Sequence, residues 1–194
     1  MSYHIYTTDG VVLKRMVFGE ANVLLYILTC DLGLIMASGQ AVRLSSSKLR
    51  PALQEYTLVS ISCVKGKNGW KITNAVEKEN YFFSTPKYSH RILSQIVFVL
   101  LKMIPGEAPH KEIFRIIEGG FNFLKSLPKE KTSSFEVLIV LRILYQLGYV
   151  DRKESIDLLL EDNERWDELI LERVSKDNKN IISIINKALK ESHL

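Results

Sequence analysis

The residues best suited to chemistry lie in a basic, serine-rich stretch at positions 33–54. It starts as an apolar strand and becomes a loop that carries Arg43, Lys48 and Arg50 beside three consecutive serines. The stretch contains no acidic residue, and the first one after it is Glu55. Cations and hydroxyls in this arrangement suit phosphate oxygens, which are negatively charged hydrogen-bond acceptors. The stretch therefore predicts a surface for a phosphate backbone rather than a catalytic centre.

Positive charge is concentrated in the first half of the chain. The net charge is only +4, whereas residues 1–83 carry 9 Lys and Arg against 6 Asp and Glu. A nucleic-acid role would therefore depend on a local patch rather than on the total charge. The predicted DNA-binding residues are Arg43, Lys48, Arg50, Lys65, Lys67, Lys71, Lys14 and Arg15.

Several residues in this region also have an ordinary structural explanation. The three lysines between positions 65 and 71 flank a hairpin, so they either extend a groove or solubilise a turn. Lys14 and Arg15 close the first strand, and the sequence leaves open whether they belong to the basic patch. Tyr56 and Trp70 are able to stack on bases, but a tryptophan that opens a strand is more often a barrel plug.

Catalytic and cofactor motifs are absent from the sequence. There is no Gly-rich phosphate loop, nucleophile elbow or metal-ligand cluster, and His4, His90, His110 and His193 are far apart. We therefore predict a non-enzyme that needs no cofactor and no metal. Two cysteines in apolar runs and no apolar signal at the start favour buried free thiols and a cytoplasmic, nucleoid-associated protein, with no membrane partner.

Five short strands precede a helical half. Alternation and turn residues predict strands around 11–13 and at 22–29, 34–41, 56–65 and 70–77, with one helical turn near 47–53 at most. Helices are predicted at 87–104, 110–127, from Thr132 or Ser133 to Gly148, and at 155–160, 165–174 and 180–190. The Gly119-Gly120 pair either weakens its helix or admits a close neighbour. The third helix is apolar on nearly every face and is predicted to be central.

This order predicts an α+β multidomain fold. Residues 1–83 would form a five-stranded OB-type β-barrel that binds nucleic acid. Residues 84–194 would form an α-helical bundle domain that docks partners.

Six segments of the chain, spread at low density over its length, form a familiar order. They are 10–13, Glu20 with Leu24 and Thr29, 33–34, 47–54, 141–149 ending in Leu-Gly-Tyr, and 188–194. In this order, with four segments in the barrel half, one in the central helix and one in the last helix, the chain resembles the RecO family of bacterial recombination mediators.

The resemblance implies a DNA repair and recombination role without catalysis. It implies binding of single- and double-stranded DNA, strand annealing and recombinase loading, with a RecR-type protein and the acidic C-terminal tail of single-strand-binding protein as partners. Two departures stand out. Residues 38–43 keep one cation where relatives have a denser basic run, and Val150 to Leu171 lack the four-cysteine zinc module. The chain is also short for the family, with the missing material expected at 150–179.

Arg142 has two explanations in the predicted central helix. It either reaches solvent or pairs with a carboxylate such as Glu118, or it anchors the acidic tail beside an apolar pocket from Ile139 and Tyr145. Two functional alternatives also stay open. One is a protein-interaction adaptor with little DNA affinity, and the other is an OB-fold RNA-binding factor.

Overall fold

The computed structural model describes residues 4–191, and the chain divides into two compact units. The first unit contains Met1–Ser84 and Pro105–Phe114, and the second contains Thr85–Ile104 and Arg115–Leu194. We call them the barrel unit and the helical unit. Ser192, His193 and Leu194, which contributed to the sequence arguments above, lie outside the described residues.

The barrel unit is built on five strands that close in the order β1-β2-β3-β5-β4. All pairs are antiparallel except β3 with β5, which is parallel. This is the OB-type Greek-key arrangement, so the predicted fold class is confirmed. The strands are β1 Ile5–Phe18, β2 Asn22–Thr29, β3 Gly33–Gly39, β4 Thr57–Gly66 and β5 Gly69–Asn80.

Alternation along β4 places its apolar side chains in the barrel core. Val59, Ile61 and Cys63 are buried, while Ser60 and Ser62 are partly exposed, as the period-two pattern predicted. Burial raises the pKa of the Cys63 thiol to about 11, so it is a neutral thiol at physiological pH.

β3 ends two residues earlier than expected. Ala41 takes a left-handed conformation with φ 54°, and its N–H donates to the Asn22 side-chain oxygen at 2.9 Å. A left-handed residue cannot continue an extended strand. The chain therefore leaves the sheet here and enters the basic loop.

A segment that follows the first long helix belongs to the barrel unit rather than to the helical unit. The Leu34 N–H donates to the Gly106 carbonyl at 3.0 Å. Gly33 has φ 74°, and a Cβ there would lie 2.3 Å from the Ala108 carbonyl oxygen. Only glycine permits this approach, so the division of the chain is not the single cut near residue 83 that composition indicated.

Seven helices complete the fold within residues 4–191. They are α1 Tyr81–Ser84, α2 His90–Met103, α3 Lys111–Leu124, α4 Thr132–Gln146, α5 Asp157–Leu160, α6 Glu168–Lys176 and α7 Asn178–Glu191. Short 3-10 turns at Lys87–Ser89 and Lys129–Lys131 precede α2 and α4.

α4 is the central helix of its unit, as predicted. Seven of its residues are buried, and it packs against α2, α6 and α7. Gly148, with φ 78°, follows its C-terminus as expected. The predicted hydroxyl cap was wrong, because the Thr132 side chain donates to the Lys129 carbonyl at 2.7 Å and no side chain caps the helix.

The Gly119-Gly120 pair allows a close neighbour rather than merely weakening α3. A Cβ on Gly119 would lie 2.9 Å from the Trp166 indole nitrogen, and one on Gly120 would lie 2.7 Å from Ile139 Cδ1. The indole of Trp166 therefore packs directly on the helix backbone.

Residues 4–191 contain neither a candidate membrane-spanning helix nor a candidate metal-binding cluster. No helix there is both long and apolar enough to cross a bilayer. No group of three or more His, Cys, Asp or Glu side chains in this range is placed to hold a metal ion.

Candidate nucleic-acid interface

The outside of β1, β2, β3 and β5 carries two neighbouring rows of side chains that we call the outer barrel face. Lys14 pairs with Tyr26, which pairs with Met36. The next row runs through Met16, Leu24, Ser38 and Lys71. Because cross-strand partners point to the same side of a sheet, Lys14 and Lys71 flank an apolar strip that contains one tyrosine.

Large apolar side chains on this face are unusually open to solvent. Met16 is 41%, Phe18 is 61% and Met36 is 50% exposed. Contiguous exposed apolar side chains on a folded unit mark interaction surfaces. The β2–β3 face is also the surface with which OB barrels bind oligonucleotides.

A β-bulge in β1 turns Lys14 outward. The register with β2 shifts between Val12 and Lys14, so that Val12 and Leu13 are both buried although they are adjacent. A bulge of this kind re-aims the side chains that follow it. Lys14 is consequently exposed on the outer face, whereas Arg15 points to a different surface.

The three hairpin lysines have unequal surroundings. Lys65 forms an ion pair with Glu107 at 2.5 Å and lies 5.2 Å from the centre of the Trp70 ring. Hydrogen bonding to Lys65 lowers the pKa of the Glu107 carboxyl. Lys67 is in the turn itself, and Lys71 adjoins Ser38 on the outer face.

Trp70 is part of the barrel wall. It is 6% exposed and belongs to the hydrophobic core of the barrel unit, and its ring meets Tyr6 edge-on at 5.2 Å. A base stacking on it would need an open ring face. Trp70 therefore plugs the barrel, which was the structural explanation given for it from the sequence.

The basic loop is held at both ends and exposed between them. Val42 and Leu53 are buried in the barrel core, while Lys48 and Arg50 are exposed. Arg43 donates to the carbonyl oxygens of Gly19 at 3.3 Å and Glu20 at 2.6 Å. Part of its donor capacity thus joins the loop to the β1–β2 turn.

The loop contains no helix. Its 3.1 Å and 3.3 Å bonds from Ser47 N to Leu44 O and from Arg50 N to Ser47 O describe successive turns. Turns of this kind present backbone and side chain to solvent together. The loop accordingly offers cations and hydroxyls at the rim of the barrel.

Arg142, in the helical unit, is completely buried, so its predicted role as a docking anchor requires correction. Its guanidinium donates to the carbonyl oxygens of four residues, one in α5 and three between α5 and α6. These are Leu159 at 3.1 Å, Asp162 at 2.9 Å, Asn163 at 3.1 Å and Arg165 at 2.9 Å.

Both earlier explanations of Arg142 fail for the same reason. Its guanidinium stacks on Trp166 at 4.5 Å and neither reaches solvent nor pairs with Glu118. Burial lowers its pKa to about 10, which keeps it charged at neutral pH. Ile139 is also fully buried and Tyr145 is only partly exposed, so these three residues do not form an accessible pocket.

The helical unit instead exposes an apolar groove along α2, α4 and α7. Phe98, Val140 and Ile182 line it together with Glu136. Burial raises the pKa of Glu136, an effect that Arg91 opposes from 3.4 Å. Lys102 lies 5.6 Å from the Phe98 ring centre, so the groove has cations at its margin.

Sequence reasoning missed Tyr26, Met16 and Met36. Strand β2 is apolar at nearly every position, so its inward and outward residues cannot be distinguished by hydropathy alone. The register with β1 and β3 separates them. A bulge signal in the adjacent pair Val12-Leu13 was the available hint.

Residues 1–81 match the family model described as "Recombination protein O N terminal". Proteins named DNA repair protein RecO match over most of the chain, among them that of Heliobacterium modesticaldum, 27% identical over 148 residues, or 75% of this chain and 52% of the relative. Residues 1–81 therefore match the N-terminal model of the RecO family, and the chain is similar to RecO proteins over three quarters of its length.

Two further RecO proteins have similar relationships to the chain. That of Thermodesulfovibrio yellowstonii is 28% identical over 150 residues, covering 75% of this chain and 58% of the relative. That of Dehalococcoides mccartyi is 34% identical over 118 residues, covering 59% of this chain and 46% of the relative. The chain thus spans about half the length of the RecO relatives that it matches. All eight predicted DNA-binding cations lie within the residues matched by the RecO N-terminal model.

Proposed function

We propose that this protein is a non-enzymatic recombination mediator in DNA repair that binds single- and double-stranded DNA. The observation that carries the proposal is the outer barrel face. Lys14 and Lys71 are available for phosphates, and Tyr26 and the methionines are available for unstacked bases. This combination of cations and an aromatic surface is the usual chemistry of single-strand binding.

Strand annealing would follow from the same surface. Two complementary strands repel each other through their phosphates, and lysines that neutralise phosphates release counterions and reduce that repulsion. Lys48 and Arg50 on the neighbouring loop would extend contact along the backbone. We further propose recombinase loading with a RecR-type protein and single-strand-binding protein, in the cytoplasm on nucleoid DNA.

Fluorescence anisotropy with a labelled single strand at low salt tests the proposal. We expect Lys14→Glu/Lys71→Glu to weaken binding more than Lys48→Glu/Arg50→Glu, because the first pair flanks the apolar strip. The matched control is Lys153→Glu/Lys179→Glu, which makes the same charge change at exposed positions of the helical unit. No binding by the unmodified protein, or equal losses in all three variants, would refute a specific barrel site.

A protein-interaction adaptor is the second candidate, favoured by the groove along α2, α4 and α7. An acidic peptide that ends in apolar or aromatic side chains would complement Phe98 and the neighbouring cation Lys102. On this proposal, the tail of single-strand-binding protein would dock at this groove and not at Arg142. Tail binding that is lost in Phe98→Ala, without DNA binding by the barrel, would favour the adaptor, and tighter binding of RNA than of DNA would favour an RNA-binding factor.

A further inference from the structure

The barrel unit has a second candidate site, a cleft next to the β1 end that carries Arg15. Its volume is about 450 Å³, which falls within the range of roughly 300–1,000 Å³ for small-molecule sites. The cleft is lined by Arg15, Gln54, Glu55, Tyr56, Asn80, Phe82 and Phe83.

Three aromatic rings form the apolar part of this cleft. Tyr56 and Phe82 lie nearly parallel, with an interplanar angle of 20° and ring centres 6.1 Å apart. Phe83 meets Phe82 edge-on at 5.5 Å and is 80% exposed. Such exposure of a phenylalanine leaves a ring face available to a ligand.

The backbone holds these rings in place at a conformational cost. Tyr56 has φ 63°, in the left-handed region that a bulky residue rarely adopts. Its N–H donates to Val12 O at 2.8 Å and its carbonyl accepts from Tyr81 N at 3.0 Å. The Phe82 N–H donates to the Asn80 side chain at 3.1 Å. Strain that the surroundings maintain in this way is frequent at ligand sites.

Two polar groups give the cleft hydrogen-bonding capacity of both kinds. Glu55 accepts the Arg15 backbone N–H at 2.8 Å through one carboxylate oxygen, and a carboxylate has about four lone-pair sites in all. The Arg15 Nε–H is buried and has no hydrogen-bond partner among the described residues. An unpaired buried donor of this kind is costly, and a ligand acceptor would satisfy it.

We propose that this cleft binds one unstacked nucleobase of a single strand and prefers bases that carry an exocyclic amino group. The aromatic rings supply stacking, Glu55 accepts from the amine, and Arg15 donates to a ring nitrogen or carbonyl of the same base. Cytosine and adenine present this pairing through N4 and N6, and guanine presents it through N2 on its minor-groove edge, whereas thymine has no exocyclic amine. The inference rests on the proposed DNA-binding function and adds base preference to it.

Anisotropy with oligo-dC and oligo-dT strands of equal length tests the inference. We expect the protein to bind oligo-dC about fivefold more tightly, the ratio for one net hydrogen bond. Phe83→Ala should weaken binding of both strands about tenfold, the usual effect of removing one stacking platform. Glu55→Gln keeps an acceptor for the Arg15 N–H and should abolish the preference for oligo-dC.

The control is Leu169→Ala, which removes an exposed apolar side chain of the helical unit and should change neither affinity. Circular dichroism confirms folding, and the exposure of Phe83 makes its loss harmless to the core. If the protein binds both strands and neither cleft variant alters binding, the cleft inference is overturned while the proposed function stands. If Phe83→Ala affects only a protein partner, the cleft inference is likewise overturned. If neither strand binds at all, both fail.

Discussion

Replacing Arg142 by methionine should destabilise the helical unit without touching any surface. The guanidinium is the group that holds the chain between α5 and α6, through four carbonyl oxygens and the Trp166 ring. Methionine fills much of the same volume but donates no hydrogen bond. The loss therefore falls on carbonyls that were paired in the native protein.

The loss in unfolding free energy depends on which of the four carbonyl oxygens water can reach once the guanidinium is gone. The bond to Leu159 is buried, and losing a charged donor there costs about 1.5–3 kcal/mol. The other three bonds are only partly buried, so water replaces the donor and each costs roughly 0.5 kcal/mol. Loss of ring stacking adds about 1 kcal/mol, and relief of the buried charge returns a similar amount. The net expectation is about 3–4.5 kcal/mol.

Urea unfolding of Arg142→Met measures this loss. In a Trp70→Phe background Trp166 is the only tryptophan left, so its fluorescence reports on the helical unit. Hydrogen exchange should accelerate at 157–167 first. Arg173→Met, at an exposed position of α6, is the matched control and should change stability by less than about 0.5 kcal/mol. Unchanged stability of Arg142→Met with loss of acidic-peptide binding would refute this reasoning and restore the docking role.

Three further predictions use other contacts. Glu107→Gln removes the carboxylate that holds Lys65 at 2.5 Å. It should therefore strengthen single-strand binding and raise the slope of affinity against salt by up to about one. The control is Glu77→Gln, an exposed change on β5, and equal effects of the two variants on binding would contradict the account. Burial raises the pKa of Glu136, so the folded protein binds this proton more tightly than the unfolded chain does. The stability that this proton contributes is present below the ordinary pKa of 4.5 and is lost as pH rises through the native value. Glu136→Gln should therefore stabilise the protein near pH 7 but not below pH 4, and a gain that is independent of pH would contradict this cause. Gly120→Ala puts a Cβ 2.7 Å from Ile139 Cδ1 and should cost about 1–3 kcal/mol in urea unfolding; no loss would show that the indole packing is loose.

Local patterns were sufficient to predict most secondary structure. The alternation in β4 and the glycines at the hairpin gave strands whose bounds differ from the observed ones by only a few residues. The short helical connections carried less information. The capping hydroxyl at Thr132 was wrong because a preceding 3-10 turn takes the place of a side-chain cap.

Features that depend on distant pairings could not be predicted in the same way. The outer barrel face exists because Lys14, Tyr26 and Met36 share a row across three strands. Neither composition nor spacing encodes that register. The grouping of Pro105–Phe114 with the barrel likewise depends on a glycine contact with residues more than seventy positions earlier.

Arg142 illustrates the limit within a single helix. Its apolar neighbours showed that a buried cation needs partners, and the sequence directed attention to carboxylates. The partners are backbone carbonyls 17 to 23 residues further on. Carbonyls belong to every residue, so no sequence pattern identifies which of them will converge.

The salt dependence of single-strand binding tests the central claim most directly. If the outer barrel face holds phosphates, affinity should fall linearly with salt on logarithmic scales, and Lys14→Glu/Lys71→Glu should reduce the slope by about 1.4, or roughly 0.7 for each lost phosphate contact. The Lys153→Glu/Lys179→Glu control should keep the original slope. A slope that is unchanged in the Lys14→Glu/Lys71→Glu protein would contradict the assignment of DNA binding to this face.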